Sequence, residues 1–214
     1  MSTAQATAAE PQAVADPAPA ETPSHPGLPY LFTSEEFFRM IDADIFPDEA
    51  RLELWDGRIY EKMAKTFPHA AAGITVNATL NRALPPGWCL SPENPIALGV
   101  ARTPLPDMVI LRGTGHDYFE RRAEVADVGL VVEVSVSSLK LDTGSKLAAY
   151  AEAGIPADWV VNLVDGAIHV YTTPIPAERR YASVLTFKVG ETIPLTLDGV
   201  AVAQVAASDI LPRR

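Results

Sequence analysis

The chain has 214 residues, 48% of them hydrophobic, and a formal net charge of -10 at pH 7. This is long enough for one domain with a substantial core, and too acidic to hold polyanions through overall charge alone. A single cysteine, Cys89, excludes an internal disulfide framework, and no Cys/His spacing suits structural zinc. Without an apolar run of about 18–20 residues or a basic, apolar leader, a soluble cytoplasmic protein with no membrane partner is expected.

Residues 1–27, dominated by Ala and Pro, read as a disordered tail ahead of a folded domain over 28–214. Thr33 with Glu36 three residues on is a capping-box signature, and Phe37, Phe38 and Ile41 supply the apolar stripe of a short helix. RLELW and RIYEKM flank Asp56-Gly57, the dipeptide that best favours a type I′ turn, so a hairpin follows. Alternation puts Leu52 and Leu54 on one of its faces and Arg51, Glu53 and Trp55 on the other.

His69 to Leu84 reads as a helix stopped by Pro85-Pro86-Gly87, and Trp88 to Val100 as two short extended pieces broken by prolines. PLPDMVILR is a strand entered through Pro106, Asp117 to Asp127 a surface helix or loop, and Gly129 to Val136 an apolar strand. Asp142 then stands where it could cap a helix reaching Ala153, with Gly154 and Pro156 closing it. DWVVNL and AIHVYT flank Asp165-Gly166, which predicts a second tight hairpin, and the chain ends in short strands and a turn near Ser208. No repeat is present, and this order argues for a mixed α/β sheet with hairpins.

The run GLVVEVSVSS places one carboxylate, Glu133, inside an apolar strand, and Asp107 heads another. A buried carboxylate is costly unless paired, hydrogen-bonded or bound to a metal. Two acids on neighbouring strands can gather oxygen ligands around magnesium, which commonly takes one or two carboxylates with water and phosphate oxygens. On the following helix Asp142, Lys146 and Tyr150 recur every four residues, so a lysine on that face could orient water or offset charge on a phosphate. The alternatives are structural: Asp107 capping amides at a strand entry, Glu133 wetted at a sheet edge, Lys146 solvated beside an Asp142 cap, and Glu53 in a surface salt bridge. His69 reads as a helix-start residue, Tyr150 as packing, and Trp55 and Trp159 as core. Serines 135, 137 and 138 lack the G-x-S-x-G elbow and ordered partners of a serine hydrolase.

Pro106-Asp107, Glu133-Val134, the D-x-x-x-K-x-x-x-Y of Asp142, Lys146 and Tyr150, and AGIPADWVVN together resemble the Uma-type restriction endonuclease family of the PD-(D/E)XK nuclease superfamily. RLELWDGRIYEKM, with Glu53 at its acidic place, and His69 after it extend the likeness, which runs from about Phe32 to Leu211. The resemblance implies a restriction-endonuclease-like α/β fold, a mixed β-sheet core flanked by helices with an N-terminal hairpin. It implies a metal-dependent endonuclease acting on DNA, with magnesium, or else manganese, held by Asp107, Glu133 and the Val134 carbonyl. Lys146 would be the catalytic lysine, moved from the strand to the helix because the third place of E-x-K is Ser135, and Glu53 a supporting acid. Superfamily habit adds a homodimer. The sequence departs from the pattern at Ser135-Val136-Ser137-Ser138 and at Asn162, where an acid is expected. A second class of function stays open: a non-catalytic regulatory or oligomeric interaction protein retaining the nuclease fold. Whether Arg112, Arg121, Arg122, Lys140 and Lys146 line one groove discriminates between the two.

Overall fold

The computed structural model describes residues 27–213, so the Ala/Pro-rich tail lies almost wholly outside the described residues. By backbone contacts the chain divides into two units, residues 1–30 and 31–214. Of the first only 27–30 are described, as exposed coil. Every helix and strand described below belongs to the second.

Helix α1, Ser34–Asp42, starts at the predicted capping box: Thr33 accepts from the Glu36 N–H, and the Glu36 carboxylate accepts from the Thr33 N–H at 2.8 Å. Strands β1, Leu52–Trp55, and β2, Arg58–Glu61, form the first hairpin. Its turn has positive φ at both Asp56 and Gly57, as a type I′ turn requires. Helix α2, Phe67–Ala83, then leads to a six-stranded sheet of order β3-β4-β5-β6-β7-β8. These strands are Trp88–Pro92, Met108–Arg112, Val128–Ser135, Ala157–Asn162, Ala167–Ile175 and Arg180–Lys188. All neighbours are antiparallel except β5 and β6, whose parallel pairing needs a crossover. The crossover is α3, Leu139–Leu141, a wide turn over Asp142–Lys146, and α4, Leu147–Ala153, which ends on left-handed Gly154. A last hairpin, β9 (Thr192–Leu197) with β10 (Val200–Ala206), completes the fold.

Every residue of β5 and β6 is buried, because both faces of the sheet are covered. On one face Val76 and Leu80 of α2 and Ile193, Leu195 and Val205 of the last hairpin pack on Ile110, Val132 and Trp159. On the other, Tyr150, Ala151 and Ile155 pack on Val109, Leu111, Val131 and Tyr181. The mixed sheet with flanking helices is therefore the expected architecture.

Three local expectations fail for identifiable reasons. Asp142 does not cap a helix: the crossover helix breaks at Gly144 (φ -114°, ψ -105°), and the Asp142 carboxylate turns to the Ser135 and Ser138 hydroxyls. Of the two extended pieces predicted over Trp88 to Val100, only β3 forms a strand. The Asp117 to Asp127 stretch, by contrast, is the expected surface segment, largely exposed, with 3₁₀ turns over Gly115–Tyr118 and Val125–Asp127. The Asp165-Gly166 connection is four residues long, because Asn162 pairs with Ala167 and its side-chain oxygen takes the Val164 and Asp165 N–H groups.

Candidate active site

Alternation along β5 sends Val132 and Val134 into the α2 side of the core and leaves Glu133 facing the crossover. Met108 is paired with Val132, so Asp107, one step before β4, lies beside the end of β5. There its Oδ2 accepts the Val134 N–H at 2.8 Å. From the crossover, Lys146 and Tyr150 reach the same carboxylate: Lys146 Nζ is 3.1 Å from Glu133 Oε1, and the Tyr150 hydroxyl donates to that oxygen at 2.7 Å.

The first hairpin supplies the other half. Cross-strand pairing of Glu53 with Tyr60 and Trp55 with Arg58 puts Arg51, Glu53, Trp55, Arg58, Tyr60 and Lys62 on one face, and all six line the same pocket. Glu53 Oε1 lies 2.8 Å from Lys146 Nζ and accepts the Leu105 N–H at 2.9 Å; its Oε2 accepts from the Trp55 indole at 3.2 Å. Lys62 Nζ donates to Asp107 Oδ1 at 3.0 Å and to the Leu105 carbonyl at 2.8 Å. His69, at the start of α2, brings Nε2 to 3.2 Å from Asp107 Oδ2. The pocket is a cavity of about 440 Å³ that also touches Glu133, Asp142 and Lys146.

Glu53, Asp107, Glu133 and Lys146, the residues expected from the sequence, thus meet in one buried cluster, with Lys146 only 1% exposed. Burial pushes the Glu133 carboxyl up, to about 7, with the Asp107 charge adding to it and Lys146 and Lys62 opposing it. Burial also acts on Asp107, but the hydrogen bond and charge of His69, the Lys62 ammonium and the Val134 N–H together hold its carboxyl below the ordinary range. Lys146 is raised despite its burial, because Glu133 and Glu53 both stabilise its charge. Asp142 is raised by burial, against the pull of two serine hydroxyls and Lys146.

Lys62, Arg51 and Trp55 were not legible as site residues. Trp55, expected in the core, instead lines the pocket, whereas Trp159 is 2% exposed in the core as expected. The alternating face of the hairpin was the available signal: once Glu53 is assigned to the site, pairing carries Tyr60 and Lys62 with it. The arginines expected to discriminate between the two classes of function do not gather here. Arg112 pairs with Asp198, Arg121 with Asp127 and Arg122 with Asp42, and of the five basic residues only Lys146 lines the pocket. Its other basic residues are Arg51, Arg58, Lys62 and Lys65.

Among the described residues no helix is long and apolar enough to cross a membrane. Nor does any group of three or more His, Cys, Asp or Glu among them stand ready to hold a metal ion. No curated protein matches the chain. Among solved structures, one titled as a putative nuclease belonging to DUF820, from Anabaena variabilis, is similar with a TM-score of 0.62 at 15% identity. The match covers 84% of this chain and 97% of that one, and shows a common fold. The model of the Uma2 family, described as "Putative restriction endonuclease", matches residues 34–206. That span runs from α1 to β10 and takes in both halves of the pocket, so the chain belongs to the Uma2 family.

Proposed function

We propose that the chain is a magnesium- or manganese-dependent endonuclease that hydrolyses phosphodiester bonds of DNA. One observation carries the reading: a lysine almost wholly buried, clamped between two carboxylates, in a pocket that a third, Asp107, also lines. Such a cluster is expensive to build, and strongly perturbed ionisable groups in a cleft point to chemistry more often than to stability.

Oxygen donors of this kind suit a hard cation. Asp107 and Glu133, with the Val134 carbonyl, would leave the remaining coordination places to water and phosphate oxygens, as magnesium sites commonly do. When bound, the ion would supply Lewis-acid stabilisation of phosphate charge and a more acidic water. Lys146 would present a fixed positive charge to the reacting phosphate with no reorganisation, since both its partners are held in place. Glu53, anchored by the Leu105 N–H and the Trp55 indole, orients Lys146, and Tyr150 orients Glu133.

Calorimetry with magnesium and manganese, beside cleavage of plasmid and single-stranded DNA at low salt, tests this. Asp107→Asn and Glu133→Gln should lose both binding and cleavage. Lys146→Met should keep ion binding and lose on the order of 10²–10³-fold in rate. Cleavage that survives chelation and all three substitutions would sink the assignment.

The second reading, a non-catalytic interaction protein on the nuclease fold, draws support from the pairing of the acids with lysines and from the pairing of Arg112, Arg121 and Arg122 with acids that do not line the pocket. Absence of both ion binding and DNA binding in the wild type would favour it. A homodimer, under either reading, is tested by sedimentation.

A further inference from the structure

Both carboxylate oxygens of Asp107 are engaged. Its Oδ2 is shared by the Val134 N–H and His69, both parts of the main scaffold, whereas among the described residues its Oδ1 is held at hydrogen-bond distance by Lys62 alone. Arg51 stands farther off, at 3.9 Å from the same oxygen. Lys62 differs from Lys146 in kind. Lys146 lies 1% exposed between two acids, whereas the Lys62 side chain is 15% exposed and touches one acid and one carbonyl. It also follows directly on β2, in a hairpin outside the six-stranded sheet, so its withdrawal breaks no central pairing.

We propose that Lys62 is a built-in competitor of the divalent cation: its ammonium neutralises Asp107 while no ion is bound, and ion binding requires it to surrender Oδ1. The inference rests on the reading of Asp107 as an ion ligand. Two cations on one carboxylate oxygen repel at short range, and in a buried site that repulsion is weakly screened. Lys62 opens onto the pocket, so the displaced amine moves toward water, where a phosphodiester would also enter. The ion would thereby exchange a structural salt bridge for a mobile positive charge at the entrance.

Two measurements on the full chain decide it. Manganese titration by calorimetry should give an affinity on the order of tenfold tighter for Lys62→Met than for wild type, since the competing charge is gone, and none for Asp107→Asn. Equal or weaker affinity in Lys62→Met overturns the inference while leaving the ion site standing. Binding in neither protein overturns the inference together with the ion-ligand reading. Should Lys62→Met fail to fold, the wild type still answers through reductive methylation read by mass spectrometry. Saturating magnesium should raise the modification of Lys62 several-fold while Lys146, as internal reference, stays protected. Unchanged or reduced labelling of Lys62 on saturation overturns the inference.

Discussion

At Lys146 the two flanking carboxylates make removal of the charge costly, because Glu53 and Glu133 would be left buried without their shared cation. Lys146→Met should therefore destabilise the fold by about 3–5 kcal/mol in urea unfolding at neutral pH. Asp158 presents the opposite case. It sits on β6, wholly buried, with no hydrogen-bond partner among the described residues for either carboxylate oxygen. Burial first, then the charges of Glu133 and Asp142, push its carboxyl well above the ordinary value. A carboxyl raised on folding stabilises the folded state fully only below its unfolded value, about 3.9, and loses that contribution as pH rises toward the folded one. Asp158→Leu, nearly isosteric, should thus stabilise the protein by about 1–3 kcal/mol even in acid. The gap should widen by about 1.4 kcal/mol per pH unit above the unfolded value; a flat or narrowing gap between pH-dependent melting curves would contradict this. Glu133 and Lys146 were legible in the sequence because each violates its local pattern or completes a spaced motif. Asp158 was not, since a single acid in ADWVVN looks like a strand entry until the sheet closes over it.

At the level of elements, the first hairpin determines whether the pocket exists, and its turn is the sensitive point. A Cβ added at Gly57 would lie 2.6 Å from Leu31 Cβ, and φ there is +76°. Gly57→Ala should cost about 1–3 kcal/mol, from the left-handed backbone and the overlap together. Gly73, inside α2, has no heavy atom within 4 Å of where an added methyl would sit, so Gly73→Ala should instead stabilise by about 0.5–1 kcal/mol. Chemical denaturation of the two variants side by side checks both signs. Asp56-Gly57 was readable because two flanking alternating strands fix the turn type. Asp165-Gly166 was misread by the same rule: the Asn162 side chain supplies turn acceptors of its own and lengthens the connection. The crossover was half readable. Lys146 and Tyr150 do share a face toward Glu133, but the break at Gly144 turns Asp142 away to the serines after β5, and no helical spacing rule anticipates that.

Over the whole molecule the net charge of -10 sets the conditions under which any nucleic acid could approach. The pocket carries Arg51, Arg58, Lys62, Lys65 and Lys146, but six acids line it as well. Binding to DNA should accordingly be weak and salt-sensitive, falling at least tenfold between about 50 and 200 mM salt in a fluorescence-anisotropy titration. Salt-independent affinity would show that phosphates are not the groups held. The lone parallel pair, β5 with β6, adds a temporal consequence. Glu133, Lys146 and Tyr150 all lie in the unit that runs from β5 through the crossover to β6, whereas Glu53 and Lys62 arrive from a hairpin far away in sequence. Loop closure is less demanding for the nearer unit. During refolding, the half of the pocket built on Glu133 should thus be in place first and the half built on Glu53 should join it later. In that interval Lys146 has Glu133 and Asp142 but not yet Glu53 to offset its charge, and because the hairpin docks last a stopped-flow trace following Trp55 should lag the formation of the central sheet.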